Sequence, residues 1–130
     1  MCVFCDIVAG KIPSKVVYED ADTLAILDLS QTTKGHTLVM PKKHYENIME
    51  MPVQEFANLM VRVQYVSALL IEKLGAKGTN TLINTNEVSG QTVIHTHVHI
   101  IPRYSKDDTV KFEFTENKYD LDEVLAEIKK

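Results

Sequence analysis

The sequence lacks a basic excess, a long apolar run and any repeat. Its 14 Lys and Arg stand against 18 Asp and Glu, a formal charge of −4 at pH 7, so no bulk field favours nucleic acid or an anionic membrane surface. A phosphate would have to be captured locally. No stretch approaches the ~18 apolar residues that a membrane span needs, and residues 1–10 carry no basic region followed by an apolar core. The expected compartment is therefore the cytoplasm, with neither nucleic acid nor membrane as a partner. No low-complexity tract or Pro/Gly/Ser-rich linker divides the chain, so its 130 residues are expected to form a single domain, 1–130, long enough to bury one core. What the chain does have is a concentration of histidine: of five in all, His95, His97 and His99 lie almost side by side.

The apolar patterning predicts strands, a helix, strands and a helix. Val16-Val17-Tyr18 and the run from Thr23 to Asp28 flank the polar Glu19-Asp20-Ala21-Asp22 and read as a β-hairpin. Thr37-Leu38-Val39-Met40 is a third strand, stopped by Pro41. The period then changes: Phe56, Leu59, Met60, Val63, Val66, Leu70 and Leu74 recur at three and four residues, between Pro52 at the first turn and Gly75 past the end. A helix over 52–74 would span roughly 34 Å, enough to cross a small sheet. Residues 79–84 and 92–101 read as two more strands joined by a polar loop, and Asp120 with Glu123 opens a short helix ending at Ile128. The expected fold is α+β, an antiparallel meander of about five strands packed by the long helix and the short C-terminal one.

In a strand, alternate side chains share a face, so His95, His97 and His99 would line one surface while Thr96, Val98 and Ile100 occupy the other. Two chemistries suit such a row. Histidines at i and i+2 can share a zinc and leave a position for water. Alternatively, one imidazole attacks phosphorus and its neighbours orient it. The flanks favour the second: Asn84 and Ser89-Gly90-Gln91-Thr92 offer a flexible turn, an amide and a hydroxyl suited to phosphate oxygens. No carboxylate intervenes between Glu87 and Asp107, where a Mg-dependent phosphate site would want one. A nucleophilic imidazole needs its other nitrogen held, and a backbone carbonyl near the same strand is the expected partner.

The spacing Cys2-Val3-Phe4-Cys5 fits a zinc knuckle or a redox pair. A structural disulfide is not expected in a reducing compartment, and no thioredoxin-like helix is expected after the pair. A closed tetrahedral metal site would need two more nitrogen or sulfur ligands. His36 opens a strand and is expected to have only a surface or edge role.

The run His95-Thr96-His97-Val98-His99-Ile100-Ile101 resembles the His-φ-His-φ-His-φ-φ signature of the histidine triad family, with Thr96 the small polar departure. Phe4, Ile7, Ile12-Pro13, Tyr18-Glu19-Asp20, Leu27-Asp28-Leu29, Pro41-Lys42-Lys43-His44 and Gly90-Gln91-Thr92-Val93 resemble the family pattern in order and spacing. The likeness covers roughly residues 1–105 and is closest to the small nucleoside phosphoramidate hydrolases and their bacterial relatives. It implies a homodimer that releases a purine nucleoside monophosphate from a phosphoramidate, anhydride or mixed ester. It also implies His97 as nucleophile, His99 on the phosphate and assisting the leaving group, and Asn84, Gly90, Gln91 and Thr92 on phosphate or leaving-group oxygens. Asp28 would accept the ribose hydroxyls, and Phe4, Ile7, Ile12, Ile26 and Leu29 would form the base pocket. The bacterial branch further implies a structural zinc on Cys2, Cys5, His44 and His95; a neutral imidazole that attacks near pH 7 requires no catalytic metal. Two other readings remain open at this stage: a nucleotide-binding interaction protein with incidental turnover, and a zinc hydrolase using all three histidines as ligands.

Overall fold

A computed structural model describes residues 2–130. Five antiparallel strands, β1 (Val16–Glu19), β2 (Thr23–Leu27), β3 (Thr37–Pro41), β4 (Gly78–Ile83) and β5 (Val98–Arg103), pair in the order β1-β2-β3-β5-β4. The meander thus holds for the first three strands. The chain then crosses through the long helix and returns as a β4–β5 pair, with β5 inserted against β3 and β4 left at the edge.

Strand alternation sorts the side chains into two layers. Ala25, Val39, Val98 and Ile100 pack under a long helix with Leu59, Val63, Val66 and Leu70. On the opposite face Leu24, Ile26, Leu38 and Met40 pack against Phe4. β3 sits between β2 and β5 and is buried along its whole length. The long helix runs Val53–Leu74, with Gly75 behind it at φ 71°, the left-handed geometry that glycine supplies at a helix end. Each of its four buried aliphatic side chains contributes about 1.5–3 kcal/mol by leaving water. Arg62 from this helix donates to Asp20 Oδ2 at 2.9 Å, fastening the helix to the β1–β2 turn.

A helix over Val3–Val8, α1, was not expected from the pattern; the long helix is accordingly α2. Cys2 caps α1, its sulfur accepting from the Cys5 N–H at 3.3 Å. The helix is six residues long, too short for an apolar period to register. At the other end α3 (Leu121–Ile128) forms as expected, with Asp120 accepting from the N–H groups of Asp122 and Glu123. It does not rest on the sheet: residues 111–130 are exposed throughout.

The histidine strand begins later than expected. Residues 92–97 are outside the sheet, and pairing starts at Val98. Val98 faces Val39, and two residues further along β3 reaches Pro41, which has no N–H to offer a longer ladder. The approach to β5 is held by other bonds instead. Thr96 donates its N–H to the Tyr45 carbonyl at 2.8 Å, and the His95 N–H turns back to the Val93 carbonyl at 3.0 Å. His99 is therefore within the strand while His95 and His97 precede it.

Candidate active site

His95 lies at the end of a bend before β5, yet the three rings stay on one side of the chain. His97 and His99 have ring centroids 5.1 Å apart, and the Phe4 ring meets both His97 and His95 edge-on at 5.0 and 5.9 Å. Val98 and Ile100 point into the α2 layer. The rows diverge in use, however. His97 and His99 line a cavity of about 520 Å³, whereas His95 is fully buried behind it.

The same cavity is bounded by Phe4, Ile7, Ile26, Asp28, Leu29, Asn84, Gly90 and Thr92, so most of the residues singled out from sequence come together. Among the described residues that line it there is no Lys or Arg. Two expected members lie elsewhere. Ile12 is on the surface and does not reach the cavity. Gln91 is buried, and its amide serves the backbone: Oε1 accepts from the Asn86 N–H at 2.8 Å, while Nε2 donates to the Glu46 and Val93 carbonyls. Its side chain braces the loop in this structure and is not on the cavity wall. Leu29 lines the mouth while remaining 98% exposed.

Hydrogen-bond partners fix the ring protons. A carbonyl can only accept, so the 2.8 Å contact between His97 Nδ1 and the His95 carbonyl places the proton on Nδ1 and the lone pair on Nε2. Burial pushes the His97 pKa down, opposed by that carbonyl and by Asp28, so a neutral ring is favoured near pH 7. Burial, with His97 and His36 nearby, takes His99 down to about 4. Asp28 turns Oδ1 to the Ser30 N–H at 2.7 Å and Oδ2 toward His36 Nε2 at 3.6 Å. His36, expected at the surface, is 4% exposed and bonds His99 Nδ1 at 3.0 Å. The signal for it was available: β3 alternation puts His36 on the face of Leu38, which pairs with His99.

A second constellation sits beside the first. Cys2, Cys5, His44 and His95 each present one donor atom, all within 4.8 Å of one another. The Nδ1 of His95 lies 3.4 Å from Cys2 Sγ and 3.6 Å from Cys5 Sγ, and that of His44 lies 3.4 Å from Cys5 Sγ and 3.3 Å from His95 Nδ1. A tetrahedral zinc, with bonds of about 2.3 Å to sulfur and about 2.0–2.1 Å to nitrogen, sets its ligand atoms about 3.3–3.8 Å apart. The donor set fits a metal ion of that geometry. His95 Nε2 donates to the Pro41 carbonyl at 2.8 Å, leaving Nδ1 as the lone pair aimed at the thiols. Burial and the neighbouring Cys2 push the Cys5 thiol up to about 11, a cost that a bound cation removes. The three rings of the triad do not converge on one point: among the described residues His95 groups with the cysteines, and His99 with Asp28 and His36.

Comparison with known proteins agrees with this architecture. The HIT domain model matches residues 9–106. The chain is 53% identical over 130 residues to an uncharacterised HIT-like protein of Methanocaldococcus jannaschii, covering 99% of each. It is 39% identical over 106 residues to the adenylylsulfatase HINT3 of Arabidopsis thaliana, covering 82% of this chain and 54% of that protein. The crystal structure of a HIT family member from Bacillus subtilis superposes with a TM-score of 0.90 at 41% identity, covering 98% of this chain and 94% of that one. A Zn-bound histidine triad protein from Mycobacterium smegmatis superposes with a TM-score of 0.80 at 39% identity, covering 84% and 79%. With its triad at the entry to β5 and its sheet and helix matching those structures, this chain belongs to the histidine triad, or HIT, family.

Proposed function

We propose that this protein is a single-domain cytoplasmic nucleotide hydrolase or nucleotidyl transferase, cleaving at the α-phosphate of purine nucleoside phosphoramidates, adenylates or dinucleoside polyphosphates. The observation that carries the reading is the His97 ring, committed through Nδ1 to the His95 carbonyl and bordering the same cavity as Asp28, Asn84, Gly90 and Thr92. A neutral imidazole with its lone pair on Nε2 is a competent nucleophile near pH 7. Its attack forms a bond from Nε2 to phosphorus, and the bond to the leaving group breaks as that group takes a proton from solvent. Water then displaces the imidazole, releases the nucleoside monophosphate and returns a proton to solvent. His99 faces the phosphate, Asn84, Gly90 and Thr92 supply uncharged contacts to its oxygens, and Asp28 accepts the ribose hydroxyls. Phe4, Ile7 and Ile26 cover the base. The adenylylsulfatase among the relatives supports hydrolytic chemistry.

A structural zinc on Cys2, Cys5, His44 and His95 belongs to the same reading. When bound, it supplies a cross-link and no reaction step, because four protein ligands leave no position for water. It would fasten α1 to the segment two residues before His97 and so fix the nucleophile. A homodimer is also part of the proposal. The unpaired edge of β4, and the solvent-facing Phe112, Phe114, Leu121, Leu125 and Ile128 of the C-terminal arm, support a second copy as the cover.

The covalent step is directly testable. The protein is mixed with an adenosine phosphoramidate, denatured at high pH within one turnover, and mapped by peptide mass spectrometry. An adenylyl group is expected on the peptide containing His97. An adduct on another residue, or turnover without any adduct, overturns the assignment.

A further inference from the structure

Among the described residues Asn86 is the one non-glycine with a positive φ. Its φ is 71° and its ψ 159°, a region that glycine enters freely and other residues hold only where their surroundings compel it. Hydrogen bonds from two directions compel it here. The Asn86 N–H donates to Gln91 Oε1 at 2.8 Å. Its carbonyl accepts from the Ser89 N–H at 3.1 Å and from the Ser89 hydroxyl at 2.8 Å. Its side-chain Oδ1 accepts from Asn47 Nδ2 at 3.0 Å. Gln91 is itself held: its side chain is buried, and Nε2 donates to the Glu46 carbonyl at 2.6 Å. The strained residue is thus gripped both from within its own loop and from the 46–47 segment.

The position of this strain shapes the cavity wall. Asn84 and Gly90 both line the cavity, whereas residues 85–89 are not among its lining residues. The chain leaves the wall after Asn84, reverses through Asn86 and returns at Gly90, where the Asn84 amide nitrogen stands 3.4 Å from the position a Gly90 Cβ would take. We propose that Asn86 is a positioning residue: its positive-φ backbone, held by Gln91, closes the 84–91 loop so that the Asn84 amide and the Gly90 backbone stand side by side before a phosphoryl group arrives. A loop already closed has little freedom left to lose, so substrate binding is spared the cost of ordering it. Asparagine suits the position, since it tolerates positive φ better than most side chains and its Oδ1 takes the Asn47 bond. Asn86 itself is exposed and outside the cavity, and it acts only through Asn84 and Gly90.

The phosphate role of the loop rests on the proposed hydrolase reading; its closure does not. Amide hydrogen exchange followed by NMR reads closure in the intact protein. The amide of residue 86, bonded to Gln91, is expected to be protected in the parent and in Asn86→Gly, because glycine takes the same φ without strain. Asn86→Val carries a branched side chain that resists positive φ, and protection of that amide should fall by about tenfold or more. On an adenosine phosphoramidate, Asn86→Val is expected to raise KM about 5- to 10-fold with kcat within about 2-fold, and Asn86→Gly to bring KM back to within about 2-fold of the parent. Val88→Ala, at the exposed tip of the same loop, should leave both readouts unchanged. Equal protection of residue 86 in the parent and in a folded Asn86→Val overturns the proposal. So does a loop that opens in Asn86→Val with KM unmoved, or an Asn86→Gly that recovers neither readout. A parent protein that turns over no phosphoramidate removes the hydrolase reading instead. The loop assignment then stands or falls on AMP affinity by calorimetry, which Asn86→Val should weaken by the same factor and Asn86→Gly restore.

Discussion

His95 donates through Nε2 to the Pro41 carbonyl at 2.8 Å, which turns its bare Nδ1 to the Cys2 thiol 3.4 Å away. One hydrogen bond thus selects the ring nitrogen available to a metal. The protein is expected to bind one zinc per chain, measured by metal analysis after gel filtration. Cys5→Ala should release it, and chelation should lower stability by about 3 kcal/mol, a fall in Tm on the order of 10 °C. Activity should decline with unfolding. Immediate, zinc-reversible inactivation of a still-folded protein would mean that the metal takes part in the reaction.

His97 can be removed without dismantling the pocket, since its ring stands at the cavity edge against Phe4. His97→Ala is expected to reduce phosphoramidate turnover by about three orders of magnitude or more. Affinity for AMP by calorimetry should stay within a few-fold, because the proposed ribose, base and most of the proposed phosphate contacts do not involve His97. Turnover close to that of the parent protein would exclude the imidazole as nucleophile and favour a binding protein whose turnover is incidental.

Elements are legible in the sequence where local pattern and long-range structure agree. The period of Leu59, Val63, Val66 and Leu70 announces α2 because one face of that helix meets the sheet and the other meets water. The triad is legible for the same reason: the three rings stay on one side of the chain even where pairing stops. What stayed hidden depends on partners distant in sequence. His36 reads as an edge residue until β3 is set beside β5, 63 positions away. Gln91 reads as a phosphate ligand until the Glu46 carbonyl is brought beneath it. The late start of β5 likewise depends on the Tyr45 carbonyl, 51 positions away, which takes the Thr96 N–H out of the ladder.

His99 makes stability depend on pH with a definite sign. Its pKa falls from the usual 6.5 to about 4 in the folded protein, through burial first and then the neighbouring His97 and His36. The unfolded chain therefore binds a proton that the native state refuses between those values, and stability falls as pH drops from about 6.5 toward 4. The full shift would correspond to roughly 3 kcal/mol; partial exposure and screening reduce the expected loss to on the order of 1–2 kcal/mol. Urea midpoints of the parent protein and His99→Gln at pH 7 and pH 4.5 measure it. The parent should lose more stability than the variant over this interval, and equal losses would show that His99 is not the group responsible.

Gly90 offers a way to separate loop geometry from catalysis. Its φ is 109°, a region that side chains rarely occupy, and an added Cβ would stand 3.4 Å from the Asn84 amide nitrogen. Gly90→Ala should therefore cost about 1–2 kcal/mol in backbone strain, and a turn that relaxes to relieve it would shift its contact with Asn84 at the proposed phosphate site. Gly10 provides the control: its φ is 78°, but nothing lies within 4 Å of an added Cβ, and it does not border the cavity. Gly10→Ala is expected to lose a similar amount of stability with KM unchanged. Gly90→Ala should raise KM about 5- to 10-fold, the loss of roughly one hydrogen bond to a charged group. If both variants leave KM alone, the turn carrying Gly90 supports the fold and does not contact substrate.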